Sequence, residues 1–293
     1  VASGGQGRTR LRAVLLITVA SVAVAASATA VAVAAAPPAP KTSPTSAPHA
    51  VAPPPAGARF DYQLGGAYPP AEGVRIVDRD RTDRPVRGVY SICYVNAFQT
   101  QPQERAWWLR HHPTLVLRTG AGKPVVDPGW PGEAILDIST AAKRRAVARI
   151  VNRWVDGCAA KGFRAIEPDN LDTWTRFPKR ISRADTLAYT RLLTAHAHRR
   201  GLAVAQKNAP ELGRRGEAAG FDFAIAEECQ VYEECGAYTA VYGRHVIEIE
   251  YTDTPRRAFS DGCRLRGSRV SVLLRDREVV PRGTAGYVSR WCR

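Results

Sequence analysis

Two acidic residues stand out by where they fall in the chain. Asp169 lies in the string EPDNLD, which closes one apolar run, and Glu227 lies in AEEC, which closes another. Two carboxylates flanking a bound sugar are the minimum equipment for breaking a glycosidic bond. One protonates the leaving oxygen, and the other attacks the anomeric carbon or activates water. The acid has to stay protonated near neutral pH, which apolar surroundings or a neighbouring negative charge can achieve. Other chemistries are poorly served. His111, His112, His196, His198 and His245 do not close apolar runs, and no G-x-S-x-G turn is present. No C-x-x-C or H-E-x-x-H spacing marks a metal site. Neither metal nor cofactor is therefore expected.

The elements that must position such a pair are legible as short apolar runs alternating with helical stretches. The runs are 60–66, 88–95, 133–139, 163–170, 201–208, 221–228, 245–252 and 270–276. Several are apolar on both faces, as buried parallel strands are. Between them, Val147, Ile150, Val151, Trp154 and Val155 recur at helical spacing after Thr140, with Gly162 as a stop. Ser182 can cap a second helix whose inner face holds Leu187, Thr190, Leu193, Thr194 and Ala197. Eight strand–helix units in this length fit a closed (β/α)8 TIM barrel of the α/β class. A doubly wound open sheet would show a glycine-rich phosphate turn after an early strand, and none is present. In a barrel the chemistry sits where the strands end. The run ends carry Gln63, Asn96, Asp137, Asp169, Asn170, Lys207, Asn208, Glu227, Glu228 and Asp253. A structural barrel does not need polar groups there, and buried carboxylates are costly without partners. Trp130 and Trp174 follow run ends and are candidates for stacking on a sugar face.

Three segments are expected. Residues 1–36 hold three arginines and then an uncharged run over 13–36, read as an export signal, either cleaved or kept as a single-span anchor. Residues 37–58 are a Pro/Ala-rich linker, and residues 59–293 are the catalytic barrel. Six cysteines behind an export signal imply disulfides, and the pairing adopted is Cys229–Cys235, Cys263–Cys292 and Cys93–Cys158. A secreted or extracellular location follows, with a possible membrane tether through 13–36. The net charge is +15, but its arginines are spread along the chain, with no dense basic run interleaved with aromatics. That reads as a solvated surface rather than a nucleic-acid site. A monomer is expected.

The strings FDYQLGG, YSICYVNAFQT, WPGE, EPDNLD, GLAVAQKN, FDFAIAEEC, IEYTD and VLLRDR occur in this order. They closely resemble glycoside hydrolase family 114, the endo-α-1,4-polygalactosaminidase family, over residues 59–293. The resemblance implies hydrolysis of internal α-1,4 bonds in galactosamine-containing polysaccharide. It also implies that Asp169 and Glu227 are the catalytic pair, with Glu228 in reserve. Asp169 is assigned as nucleophile or electrostatic stabiliser and Glu227 as acid/base, with retention preferred. A deacetylated amino sugar carries an ammonium, so further carboxylates are expected around it, from Asp61, Asp137, Asp172 and Glu250. Tyr94, Asn96, Lys207, Asn208 and Tyr251 are candidate hydroxyl partners, joined by Gln63, Asn170 and Trp174 at the same end. The alternatives are a non-catalytic surface barrel that binds polysaccharide, or a glycosidase acting on another wall or capsule polymer.

Overall fold

The computed structural model describes residues 51–292. The expected signal segment and residues 37–50 of the linker lie outside them. The elements follow in chain order: β1 (Arg59–Gln63), β2 (Val74–Asp80), β3 (Tyr90–Asn96), α1 (Arg105–His111), β4 (Val126–Asp127), β5 (Trp130–Ala134), α2 (Ala141–Lys161), β6 (Ala165–Asp169), α3 (Thr173–Arg176), α4 (Arg183–Arg199), β7 (Ala203–Lys207), α5 (Arg214–Glu217), β8 (Phe223–Glu227), α6 (Cys235–Tyr242), β9 (Val246–Tyr251), α7 (Arg257–Arg266), β10 (Ser271–Arg275) and β11 (Ser289–Trp291). Eight parallel strands run in the order β1-β2-β3-β6-β7-β8-β9-β10, and β11 adds antiparallel to β10. The protein is thus an α/β barrel. Its seam between β10 and β1 is stitched by side chains: Ser271 Oγ donates to the Ala58 carbonyl, Arg275 Nε to that of Tyr62 and Trp291 Nε1 to that of Phe60.

The two long helices form as their sequences direct. In α2 the Thr140 hydroxyl accepts from the Lys143 amide, and Gly162 ends the helix at φ 94°, a conformation that costs glycine little. In α4 Ser182 and Asp185 form a reciprocal capping box. Val147, Ile150, Val151 and Val155 of α2, with Leu187, Leu193 and Ala197 of α4, join one core between ring and helices. A second core fills the ring, with Phe60, Ile76, Ile92, Ala165, Ala203, Phe223, Ile225, Ile247, Ile249 and Leu273. Strand alternation then dictates which polar residues point inward above this plug.

The membership of the ring differs from the sequence reading in one exchange. The run 133–139 is not a ring strand. Trp130–Ala134 pairs with Val126–Asp127 in a hairpin outside the ring, and Ile135 and Leu136 make only single bridges, to Gln99 and Val116. Its apolar side chains fill the outer core, a role that a short apolar run shares with a buried strand. The missing ring strand is β2, VRIVDRD, whose charges disguised it. Asp78 and Arg79 are nonetheless buried. Because one strand enters as another leaves, β6 and β8 remain the fourth and sixth strands of the ring.

The disulfides are Cys93–Cys158, Cys229–Cys235 and Cys263–Cys292. Among the described residues no helix is long and apolar enough to cross a membrane.

Candidate active site

β6, β7 and β8 each deliver an inward-facing ionisable side chain to the same end of the ring. Lys207 is the centre. Its Nζ donates to Glu167 Oε1 at 2.6 Å and to the Tyr62 hydroxyl at 2.9 Å. It also stands 3.5 Å from Asp169 Oδ1 and 3.4 Å from Glu227 Oε2. The Lys207 and Glu167 side chains are buried, while those of Asp169 and Glu227 remain 20% and 24% exposed. The ammonium therefore underlies two carboxylates that solvent or substrate can reach. Burial opposes its charge, but Asp169, Glu167 and Glu227 outweigh burial and raise its pKa well above that of ordinary lysine.

Each exposed carboxylate has its own phenol. The Tyr94 hydroxyl donates to Asp169 Oδ2 at 2.8 Å, and that of Tyr251 to Glu227 Oε1 at 2.5 Å. Burial, reinforced by those carboxylates, pushes both phenols well above their usual range, so both keep their protons. Asn208 brackets Glu227, donating Nδ2 to Oε2 at 3.0 Å and accepting from the Glu227 amide at 2.9 Å. The backbone is arranged for this. Asn170, Asn208 and Glu228, each one residue past a site-bearing strand, have φ of 62°, 51° and 57°. Asparagine tolerates that region, whereas Glu228 bears a cost of about 1–3 kcal/mol.

Beneath the cluster, Asp78 of β2 is fully buried. Burial, and then the charge of Glu167, push its pKa well up. Held protonated, Asp78 can donate to Glu167, whose Oε2 otherwise lacks a partner.

The cleft above is about 660 Å³. Tyr62, Tyr94, Asp169, Lys207, Asn208, Glu227 and Tyr251 line its floor, and Trp130, Tyr232, Tyr238, Asp172, Glu211, Glu228, Glu234 and Arg277 line its walls. Trp130 and Tyr232 are 56% and 63% exposed. Seven carboxylates line the cleft against two cations. One of the cations, Arg277, is spoken for by Glu228 and Asp253. The cleft is thus locally acidic on a protein of net charge +15.

Of the residues singled out in the sequence, Asp169, Glu227, Tyr94, Asp172, Lys207, Asn208, Glu228 and Tyr251 meet in this cleft. Asn96 and Asn170 lie behind Asp169: Asn170 Nδ2 donates to Asn96 Oδ1, and Asn96 Nδ2 to Glu133. The others are elsewhere. Asp61 and Gln63 point out of the ring, bonded to each other and to Tyr68 and Arg79. Asp137 precedes α2 and pairs with Lys143. Trp174 is buried in the outer core. Glu250 is buried on the outer face of β9, accepting from the Gln230 amide. The residues that sequence reading missed are Tyr62, Asp78, Glu211, Tyr232, Glu234, Tyr238 and Arg277. Alternation signalled Tyr62, since it shares a face with Phe60, whereas the residues of the late loops carried no periodic signal.

A barrel whose fourth, fifth and sixth strands set two reachable carboxylates over one lysine is matched by the family model of glycoside-hydrolase family GH114, over residues 41–293. The chain belongs to family GH114. It is accordingly a glycoside hydrolase. Among solved structures, the barrel is similar to Aspergillus fumigatus Ega3, crystallised in complex with galactosamine, with a TM-score of 0.68 and 20% identity over 83% of this chain and 98% of that one. It is also similar to the glycoside hydrolase domain of Pseudomonas aeruginosa PelA, with a TM-score of 0.53 and 14% identity over 78% of this chain and 97% of that one. No curated protein matches the chain.

Proposed function

We propose that this GH114 chain is an exported endo-hydrolase of α-1,4-linked, galactosamine-containing polysaccharide, with residues 59–293 as its catalytic barrel. Asp169 is the nucleophile and Glu227 the acid/base. The observation that carries the reading is the shared ammonium of Lys207 under two solvent-reachable carboxylates, at the floor of an acidic cleft with aromatic walls. Asp169, paired with the ammonium and the Tyr94 hydroxyl, attacks the anomeric carbon as Glu227 gives its proton to the leaving oxygen. Water then adds at that carbon, yields a proton to Glu227 and releases Asp169. A protonated Glu227 keeps its contact with Tyr251 by reversing the donor, since a phenol both gives and accepts. The two Lys207 distances cap the gap between those oxygens at about 7 Å, which leaves room for the retaining separation and excludes only the wider part of the inverting range. The acidic lining favours a sugar with a free ammonium, the chemistry of the galactosamine held by Ega3. Three disulfides fit the oxidising environment outside the cytoplasm.

The test is to incubate the full chain with α-1,4-galactosamine oligomers, deacetylated and acetylated, and to weigh the products. Internal cuts in the deacetylated series are expected. Asp169→Asn and Glu227→Gln should each lower turnover by roughly 10²–10⁴ while circular dichroism is unchanged. Undiminished turnover in both variants would sink the assignment. Binding with no product from the parent chain would support a non-catalytic polysaccharide-binding barrel instead.

A further inference from the structure

At the opposite end of the ring, where the strands begin, lies a second and larger groove of about 950 Å³. The approach to β3 and the end of α2 form it. Its lining contains Arg84, Arg87, Lys161 and Arg164 and no carboxylate. Arg84, Arg87 and Lys161 are exposed and Arg164 is half-buried. Among the described residues none of the four makes an ion pair. Lys161 Nζ donates only to the backbone carbonyls of Arg81 and Asp83, and Arg164 lies over the Tyr90 ring. Asp83 and Asp222 stand beside the groove rather than in it, within charge range of Lys161 and Tyr90 respectively. Four cations without an ion pair around one depression leave a site for an extended anionic surface.

The course of the chain says which surface. Residues 52–58 pass across this end of the ring. The Ala52 carbonyl accepts from the Tyr90 hydroxyl, that of Pro54 lies 3.1 Å from His245 Nδ1, and that of Ala58 accepts from Ser271. Tyr90 itself lines the groove. The segment that precedes Val51 therefore joins the barrel beside the four cations, and that segment contains the uncharged run 13–36. We propose that the groove of Arg84, Arg87, Lys161 and Arg164 is a docking face for anionic phospholipid headgroups, which seats the barrel with its cleft directed away from the membrane. This proposal is independent of the substrate reading, because no cleft residue enters it.

The test uses the full chain, with partitioning onto phosphatidylcholine vesicles compared with vesicles containing about 30% phosphatidylglycerol. Each basic residue near an anionic leaflet strengthens binding roughly fivefold, so four give a preference of several hundredfold at low salt, fading at high salt. The uncharged run 13–36 contributes alike to both compositions, and the flanking Arg8, Arg10, Arg12 and Lys41 are common to parent and variants, so the groove is read from the ratio of variant to parent. The variant carrying Arg84→Gln, Arg87→Gln, Lys161→Gln and Arg164→Gln should lose several hundredfold of the parent's preference, down to what Arg8, Arg10, Arg12 and Lys41 sustain. A milder Arg84→Gln, Arg87→Gln pair, on an exposed loop, should lose about 25-fold of it. Lys179→Gln, Arg183→Gln, Arg214→Gln and Arg215→Gln, on the cleft side, should keep it. Amide exchange over residues 84–90 should slow on the anionic vesicles only. A parent preference within a few-fold of unity, equal losses in the two quadruple variants, or retention of DNA or polyglutamate in place of vesicles would each overturn the proposal.

Discussion

Lys207 is where the electrostatics of this site converge, because one ammonium serves three carboxylates in a place that water hardly reaches. Removing it leaves buried charge without compensation, which typically costs about 3–5 kcal/mol. Lys207→Met should therefore lower the denaturant midpoint markedly. Where the variant still folds, the acid limb of its pH–rate profile should move to higher pH, since loss of a cation raises carboxylate pKa. An unmoved limb would show that Lys207 does not face the ionising group. A different titration sets stability near neutrality. Burial raises Glu133 and Glu250 to about 7. A carboxyl with a raised folded-state pKa stabilises the fold at low pH and loses that contribution as pH rises through the folded value. Thermal stability should fall between about pH 5 and 8, and Glu250→Gln should flatten the slope. A slope identical to that of the parent would count against the assignment to Glu250.

Secondary elements divide the labour between ring and hairpin. The β4–β5 hairpin stands outside the ring but hangs Trp130 over the cleft. Asp127 holds its turn by accepting from the Gly129 amide, Gln99 and Arg176. Trp130→Ala should raise KM by about 2–10-fold, the 0.5–1.5 kcal/mol of one aromatic contact, with kcat and melting temperature little changed. A fall in kcat alone would place Trp130 nearer the reacting bond. The hairpin also shows where sequence reasoning reached its limit. Period and composition identify EAILDIS as apolar and buried, but not whether it faces a ring neighbour or a helix. The same reading passed over VRIVDRD because Arg79 and Asp78 look solvated until Gln63 and Glu167 are folded against them. Alternation along recognised strands brings Asp169, Lys207, Glu227 and Tyr251 inward, whereas Asn208 reaches the cleft because it leaves β7 at φ 51°, and Gln63 and Glu250 alternate to the outer face. Both Trp130 and Trp174 follow run ends, and the sequence favours Trp174 as the stacking residue; packing reverses that, with Trp130 exposed at the start of β5 and Trp174 buried in α3.

At the scale of the molecule, charge and covalent ties are both asymmetric. The acidic cleft and the basic groove occupy opposite ends, so a net charge of +15 conceals two depressions of opposite sign. Cys263–Cys292 clips α7 to the segment after β11, across a sequence separation of 29. Removing it with Cys263→Ala and Cys292→Ala should cost about 3–4 kcal/mol by loop-closure entropy, read as a lower melting temperature with the active-site chemistry intact. Unchanged melting would mean that the final strand holds by packing alone. The seam has a further consequence. With the Trp291 indole on the Phe60 carbonyl and the Arg59 guanidinium over the same ring, the first and last strands of the barrel meet side by side. A short linker from the residues after Trp291 to Ala58 would therefore close the backbone into a circle. New ends cut in the exposed turn at Gly120–Gly122 should then give a circularly permuted enzyme that still folds.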